Sequence, residues 1–154
     1  MELRKKLKKE LDAKTLAYCY SCGMCTGGCP SARLNPKYNP RQILHRAALE
    51  GRIEDDVWLC ANCYTCQERC PTNTKVADII SLLRRIYVEE KGIPEFIKPL
   101  VTNLENCGFT AAIGELENKR RERMNLPAVQ HNSEIKKIIE KTKYKHQPAK
   151  EEQK

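Results

Sequence analysis

The feature that most constrains this chain is a run of four cysteines that occurs twice with the same spacing. The first run is Cys19-x2-Cys22-x2-Cys25-x3-Cys29-Pro30, and the second is Cys60-x2-Cys63-x2-Cys66-x3-Cys70-Pro71. Together they hold eight of the nine cysteines. Three thiolates at successive x2 spacing can surround one face of an iron–sulfur cube and bind three of its four irons. The spacing therefore predicts two [4Fe–4S] clusters.

The fourth ligand of each cluster must come from outside its set of three. In paired runs of this kind the cysteine before proline binds the other cluster. The predicted ligands of the first cluster are Cys19, Cys22, Cys25 and Cys70, and those of the second are Cys29, Cys60, Cys63 and Cys66. This exchange would fasten the two halves of the domain together.

Structural zinc is the main alternative use of the cysteines, because tetrahedral zinc sites also contain C-x2-C pairs. A zinc site takes four ligands from two pairs, so the third cysteine and the one before proline would be surplus in each run. Disulfides are disfavoured because residues 1–9 lack the apolar core of a signal peptide, which favours a reducing cytoplasm. A zinc-stapled structural module stays open as an alternative.

The formal charge of +8 does not point to nucleic acid once the metal is counted. Eight thiolates add −8 and two oxidised cluster cores add roughly +4, which leaves a holoprotein near +4. No zinc-finger spacing or aromatic-rich strand motif supports nucleic-acid binding. No stretch approaches the roughly 18 consecutive apolar residues of a membrane span, so direct membrane insertion is not expected.

Helical signals surround the two runs. Residues 39–51 have Asn39 as a cap, Pro40 at the first helical position and a closing Gly51. After the second run, apolar residues keep helical spacing up to about residue 92, namely Val76, Ile79, Ile80, Leu83, Ile86 and Tyr87. Because strand signals are almost absent, the predicted fold class is all-α, a helical ferredoxin built around the two clusters.

The chain beyond residue 92 predicts further helices and a tail. One helix is expected over residues 95–106, interrupted or restarted at Pro99 and stopped by Gly108, and another over residues 115–124, ended by Pro127. The expected organisation is a charged N-terminal segment (1–14), the two-cluster core (15–92), a helical extension suited to docking on a neighbouring protein of a complex (93–130) and a Lys/Glu-rich tail (131–154). Disorder is expected after residue 145.

Several residues outside the ligand set have uses to weigh. Glycines open the first loop, whereas the second has larger side chains; either the clusters differ in potential or the glycines only relieve crowding. Cys107 is expected to be a small buried hydrophobe rather than a redox thiol. The aromatic residues that flank ligands are interpreted as packing that could shield the clusters: Tyr18, Tyr20, Trp58 and Tyr64. The three histidines are interpreted as surface or helix-packing residues: His45, His131 and His146.

Residues 19–30 and 58–71, CYSCGMCTGGCP and WLCANCYTCQERCP, resemble the C subunit of heterodisulfide reductase. The resemblance covers roughly residues 15–125. It implies a helical ferredoxin in a cytoplasmic complex of methanogenic archaea. In that family the C subunit relays electrons from the flavin-containing A subunit to the catalytic B subunit, which reduces the mixed disulfide of coenzyme M and coenzyme B. A hydrogenase or formate dehydrogenase module is an optional further partner.

The chain also lacks the motifs of a catalytic or flavin-binding protein of such a complex. No two cysteines adjoin, as they do in the catalytic component of that enzyme type, and no G-x-G-x-x-G follows a strand signal. The chemistry is therefore expected on partner proteins, with no catalytic residue here. Relay components of other respiratory or sulfur-metabolising oxidoreductases carry similar runs and stay open as an alternative.

Overall fold

The computed structural model describes Lys6, residues 19–130, Asn132 and residues 134–142. This described part is helical and contains no strand, in agreement with the predicted all-α class. The chain divides into two compact units, Met1–Glu90 and Lys91–Lys154. The predicted charged segment 1–14, apart from Lys6, and the predicted disorder after residue 145 lie outside the described residues.

The described part of the first unit contains the two cysteine runs and five α-helices. In chain order these are α1 (Met24–Gly27), α2 (Pro30–Leu34), α3 (Pro40–His45), α4 (Thr65–Glu68) and α5 (Val76–Lys91). A π-helical turn, Arg46–Glu50, continues α3, and a 3-10 helix, Asp55–Leu59, precedes the second run.

The helix predicted between the runs is confirmed at both ends. The Asn39 side chain accepts a hydrogen bond from the Gln42 N–H at 3.1 Å, and Pro40 lies in the first turn. Gly51 ends the helix with φ +68°, a conformation that glycine adopts at little cost. The π-helical geometry of the last turn was not predicted, because the spacing of apolar residues over a single π-helical turn is much the same as over an α-helical turn.

Helix α5 supplies half of the buried cluster that forms the core of the first unit. Its predicted apolar face is buried as expected, with Val76, Ile79, Ile80, Leu83, Ile86 and Tyr87 each at most 9% exposed. The same buried cluster includes Ile43, Leu44 and Ala47 from the helix between the runs, together with Cys29 and Cys66. Two predicted cluster ligands are therefore part of the hydrophobic core.

The second unit contains α6 (Lys98–Cys107), α7 (Glu115–Arg123) and α8 (Glu134–Lys141). Helix α6 begins at Lys98 rather than Glu95, with Pro99 in its first turn, where the missing N–H is not needed. Gly108 follows it with φ +81°, and an added Cβ there would lie 2.9 Å from Ile135 of α8. Only glycine fits at this contact between α6 and α8.

Two further expectations in this unit are met. Cys107 is 6% exposed and its thiol donates to the Asn103 carbonyl at 3.0 Å, so it is a buried side chain as predicted. Helix α7 has no buried residue and ends at Arg123, one residue before the predicted end. Asn125, with φ +55°, turns the chain away before Pro127 is reached. None of the helices described here has the length and apolar character needed to cross a bilayer.

Candidate metal centre

The two cysteine runs adopt the same backbone conformation. The residue two positions after the first cysteine is left-handed in both, Ser21 with φ +58° and Asn62 with φ +52°. The residue two positions later is left-handed as well, Gly23 with φ +80° and Tyr64 with φ +61°. Such angles are uncommon for residues other than glycine. Their recurrence at matching positions indicates that both loops curl in the same way around their thiols.

Each run continues into one short helical turn with matching hydrogen bonds. The Thr26 N–H donates to the Gly23 carbonyl at 3.0 Å, and the equivalent Gln67 N–H donates to the Tyr64 carbonyl at 2.9 Å. These turns, α1 and α4, pack against each other. The cysteine before proline therefore leaves each turn at an equivalent place, beside the other run.

One cavity collects four thiols from both runs. Cys19, Cys22 and Cys25 line it together with Cys70 of the second run. Arg41 also lines this cavity. The structure thus brings together all four predicted ligands of the first cluster, although Cys70 is distant in sequence.

The other four cysteines are also neighbours. Burial, the largest cause, and the charges of Cys60, Cys25, Cys29 and Cys63 together raise the pKa of the Cys66 thiol to about 11. Cys29, which belongs to the first run, therefore lies in the electrostatic surroundings of the second run. The effect of Cys25 shows that the two groups of thiols adjoin at Cys66.

The thiols are spread rather than gathered on one point. Within residues 19–130 and the other described positions, no three His, Cys, Asp or Glu side chains converge to hold a single ion. A zinc site would need sulfur atoms about 2.3 Å from one metal. The spread of the thiols fits a group larger than one ion. Sulfur-only ligation is also the donor chemistry of iron–sulfur clusters.

Hydrogen bonds prepare individual thiols for metal binding. The Thr74 N–H donates to Cys70 Sγ at 3.2 Å, and Thr72 Oγ1 lies 3.3 Å from the same sulfur. Burial raises the pKa of Cys70, but these hydrogen bonds outweigh it and the pKa is lowered. A hydrogen bond with Thr65 lowers the pKa of Cys63 in the same way. Because the thiolate is the form that binds metal, the lowered pKa values of Cys70 and Cys63 favour metal binding.

Helix α5 holds the second run through polar side chains on one face. Arg84 Nε donates to the Val57 carbonyl at 2.9 Å, and its Nη2 donates to the carbonyls of Trp58, at 3.3 Å, and Cys60. Its guanidinium also lies 5.4 Å from the Trp58 ring centre. One turn earlier, Ser81 Oγ donates to Asn62 Oδ1 at 3.1 Å. These contacts fix the start of the run against a rigid helix.

The first run is held by the helix between the runs. Arg41 Nη1 donates to the Ser21 carbonyl at 3.1 Å, and His45 Nε2 lies 3.0 Å from Ser21 Oγ. Thr26 Oγ1 donates to Asn39 Oδ1 at 2.8 Å. His45 therefore contacts the metal-binding loop, a role that the sequence did not indicate. His131 and His146 lie outside the described residues.

The described aromatic residues singled out from sequence differ in burial, and Tyr20 lines the first cavity. Tyr20 is 76% exposed and Tyr64 is 40% exposed, whereas Trp58 is half-buried and packs edge-on against Tyr87 at 5.8 Å. Tyr18 lies outside the described residues. The buried aromatic beside the second group is Tyr38, which sequence reasoning missed. The one feature of the sequence that could have indicated its burial is its position between two Asn-Pro turns, in Asn35-Pro-Lys-Tyr-Asn-Pro40.

Residues 15–74 match the 4Fe-4S dicluster domain family. A Methanosarcina acetivorans protein, the C subunit of ferredoxin/F420H2-dependent CoB-CoM heterodisulfide reductase, is 41% identical over 136 residues, 83% of this chain and 80% of that protein. A Methanothermobacter thermautotrophicus protein, the C subunit of H2:CoB-CoM heterodisulfide,ferredoxin reductase, is 33% identical over 146 residues, 87% of this chain and 78% of that protein. A Methanosarcina mazei protein, the C subunit of ferredoxin:CoB-CoM heterodisulfide reductase, is 40% identical over 117 residues, which are 72% of this chain and 70% of that protein.

These relatives and the matched domain account for both cysteine runs. The dicluster domain and the eight cysteines fit two [4Fe–4S] clusters, as the spacing predicted. The chain therefore belongs to the family of heterodisulfide reductase C subunits, the iron–sulfur electron-transfer components of an oxidoreductase complex.

Proposed function

We propose that the two groups of thiols each hold one [4Fe–4S] cluster, with one cysteine exchanged between the runs. The cavity lined by Cys19, Cys22, Cys25 and Cys70 is the observation that carries this assignment. The second set, Cys29, Cys60, Cys63 and Cys66, is supported by the charge interactions around the Cys66 thiol.

We further propose that the chain relays electrons from the flavin-containing A subunit to the catalytic B subunit, which reduces the coenzyme M–coenzyme B heterodisulfide. The names of the relatives support a place in such a complex, and the resemblance supports the order of electron flow and a cytoplasmic location. When bound, the clusters supply one-electron oxidation and reduction. A hydrogenase module is a further partner in this proposal, because one relative is named for H2.

The residues of this chain have three tasks in the proposed relay. The cysteines bind iron as thiolates. The burial of Cys29 and Cys66, each 7% exposed, keeps water away from the region where the two groups adjoin. The exposed Cys22 and Cys63 place one edge of each group near the surface, where a partner protein could approach.

The ligand assignment is tested by serine variants in the anaerobic full-length protein. Cys70→Ser should give the same loss of iron, sulfide and electron paramagnetic resonance signal as Cys22→Ser, because both belong to the first set. Under uncrossed ligation, Cys70→Ser would instead match Cys63→Ser. Cys107→Ser, at a buried thiol of the second unit, is the control and should retain all iron and sulfide.

The relay itself is tested with the flavin-containing and catalytic partners. The chain should form a stable complex with both on anaerobic gel filtration, and its clusters should be reduced by the flavin partner. Cluster reduction that does not require the flavin partner, or a chain that elutes alone, would contradict the relay. Two zincs per chain and no acid-labile sulfide would contradict the clusters as well.

A further inference from the structure

Tyr38 is a buried donor beside the second group of thiols that nothing in the proposed relay uses. It is 1% exposed and belongs to the same buried cluster as Cys29 and Cys66, with Cys60 packed against that cluster. Its hydroxyl oxygen is sealed from solvent and makes no hydrogen bond of standard geometry within the described part of the chain. A buried hydroxyl without a partner destabilises the fold, so an acceptor is expected when the site is complete.

The surroundings of the hydroxyl indicate which acceptor this is. Burial raises the pKa of Tyr38 far above its usual range, and the neighbouring side chains of Cys60, Cys29 and Cys66 act in the same direction, Cys60 most strongly. All three are predicted ligands of the second cluster. A phenol has an ordinary pKa of about 10, so the buried Tyr38 hydroxyl keeps its O–H as a donor toward sulfur near neutral pH.

We propose that the Tyr38 hydroxyl donates a hydrogen bond to the Cys60 sulfur when the second cluster is bound, and that this bond raises the reduction potential of that cluster. The inference rests on the proposed ligand assignment. Reduction adds one negative charge to the cluster, and a donor dipole aimed at a ligand sulfur stabilises that charge. The hydroxyl that lacks a partner in the protein alone would then have one in the holoprotein.

At the first group, the donors beside sulfur are Thr72 Oγ1 and the Thr74 N–H, which contact Cys70 Sγ, and the tyrosine that lines the cavity is Tyr20. The phenol of Tyr20, within the first run, is 76% exposed and so is solvated. The first cavity has a cation instead, Arg41. Tyr38 thus lies beside the second cluster only. Removal of its hydroxyl should change the reduction potential of the second cluster and leave that of the first unchanged.

The test compares two changes of opposite sign at Tyr38 in the anaerobic full-length holoprotein. Tyr38→Phe removes the hydroxyl and keeps the ring. Site-specific replacement of Tyr38 by 3,5-difluorotyrosine keeps the hydroxyl and makes it a stronger donor. Both are followed by redox titration with electron paramagnetic resonance, and the signal of the second cluster is identified with Cys63→Ser. Tyr64→Phe is the matched control, because Tyr64 lies in the second run but is 40% exposed.

Tyr38→Phe should move the reduction equilibrium of the second cluster about tenfold toward the oxidised form, a decrease of about 59 mV for one electron. The difluoro variant should move it the other way, and Tyr64→Phe should leave it unchanged. In resonance Raman spectra, the Fe–S(Cys) stretching bands should rise in frequency in Tyr38→Phe, because a hydrogen bond to the sulfur weakens that bond.

Unchanged potentials in both Tyr38 variants would overturn the proposal, and so would shifts in the same direction, since these would indicate packing alone. If Tyr38→Phe lost the cluster, the difluoro variant would decide by itself, because an upward shift supports the donor and no shift refutes it. Failure of the ligand assignment is recognised separately, because it would appear in the wild-type protein and the serine variants.

Discussion

Arg84 fastens the start of the second run to helix α5, and its replacement by methionine should destabilise the holoprotein by about 3 kcal/mol. Its guanidinium donates to three carbonyls, those of Val57, Trp58 and Cys60. A hydrogen bond from a charged donor contributes about 1.5–3 kcal/mol when buried, but this group is only half-buried, so about 1 kcal/mol for each bond is the better value. Methionine keeps most of the apolar contact of the arginine stem.

The assay is a thermal ramp of the anaerobic holoprotein, followed by cluster absorbance and by far-ultraviolet circular dichroism. For a chain of this size, each kcal/mol shifts the midpoint by about 2–4 °C, so Arg84→Met should lower it by about 6–12 °C. Arg84→Lys should fall in between, since lysine keeps the charge but not the planar fork that reaches several carbonyls.

The neighbouring Arg85 provides the matched control for this prediction. Its side chain is exposed, and contacts of an exposed charged side chain contribute little, so Arg85→Met should change the free energy of unfolding by no more than about 1 kcal/mol. If the two methionine variants lost their clusters at the same temperature, the carbonyl contacts would not stabilise the run and the reasoning would be wrong.

Three other perturbations follow from the same geometry. Thr72→Val removes a hydrogen bond that lowers the pKa of Cys70, so the pH profile of Cys70 alkylation in the cluster-free protein should move to higher pH; an unmoved profile would contradict this. Gly23→Ala should cost about 1 kcal/mol because of its φ of +80°, whereas Gly27→Ala, in the helical turn α1, should be neutral or stabilising, and thermal midpoints compare them. Removal of iron by a chelator should reduce the helical circular dichroism of the first unit, because Cys29 and Cys66 belong to its core; unchanged helicity would show that the core forms without metal.

The helices and the ligand spacing could be predicted because their signals are local. Asn39, Pro40 and Gly51 mark both ends of one helix, and each acts on its own neighbours in the chain. The pairing of Cys70 with the first run could be predicted only because the repeated motif implies an exchange. Amino-acid composition alone does not indicate which cysteines share a cluster.

The supports of the site could not be predicted because they depend on packing between distant segments. Tyr38 lies in a turn whose residues indicate only a change of direction, and its burial depends on α5 and the second run. Tyr64 adopts a left-handed angle where the first run has Gly23, so residue type gave no sign that the two backbones match. The glycines of the first loop therefore do not mark a different loop shape.

The place of Cys70 in the first cavity also has a consequence for biosynthesis. A chain emerging from the ribosome exposes Cys19, Cys22 and Cys25 early, but the fourth thiol of that cavity follows only after 45 further residues. Until then the first loop offers three thiols, and the position of the fourth ligand is empty. Iron–sulfur loading must therefore wait for the second run to be made, or a carrier must protect the incomplete site from oxidation during translation.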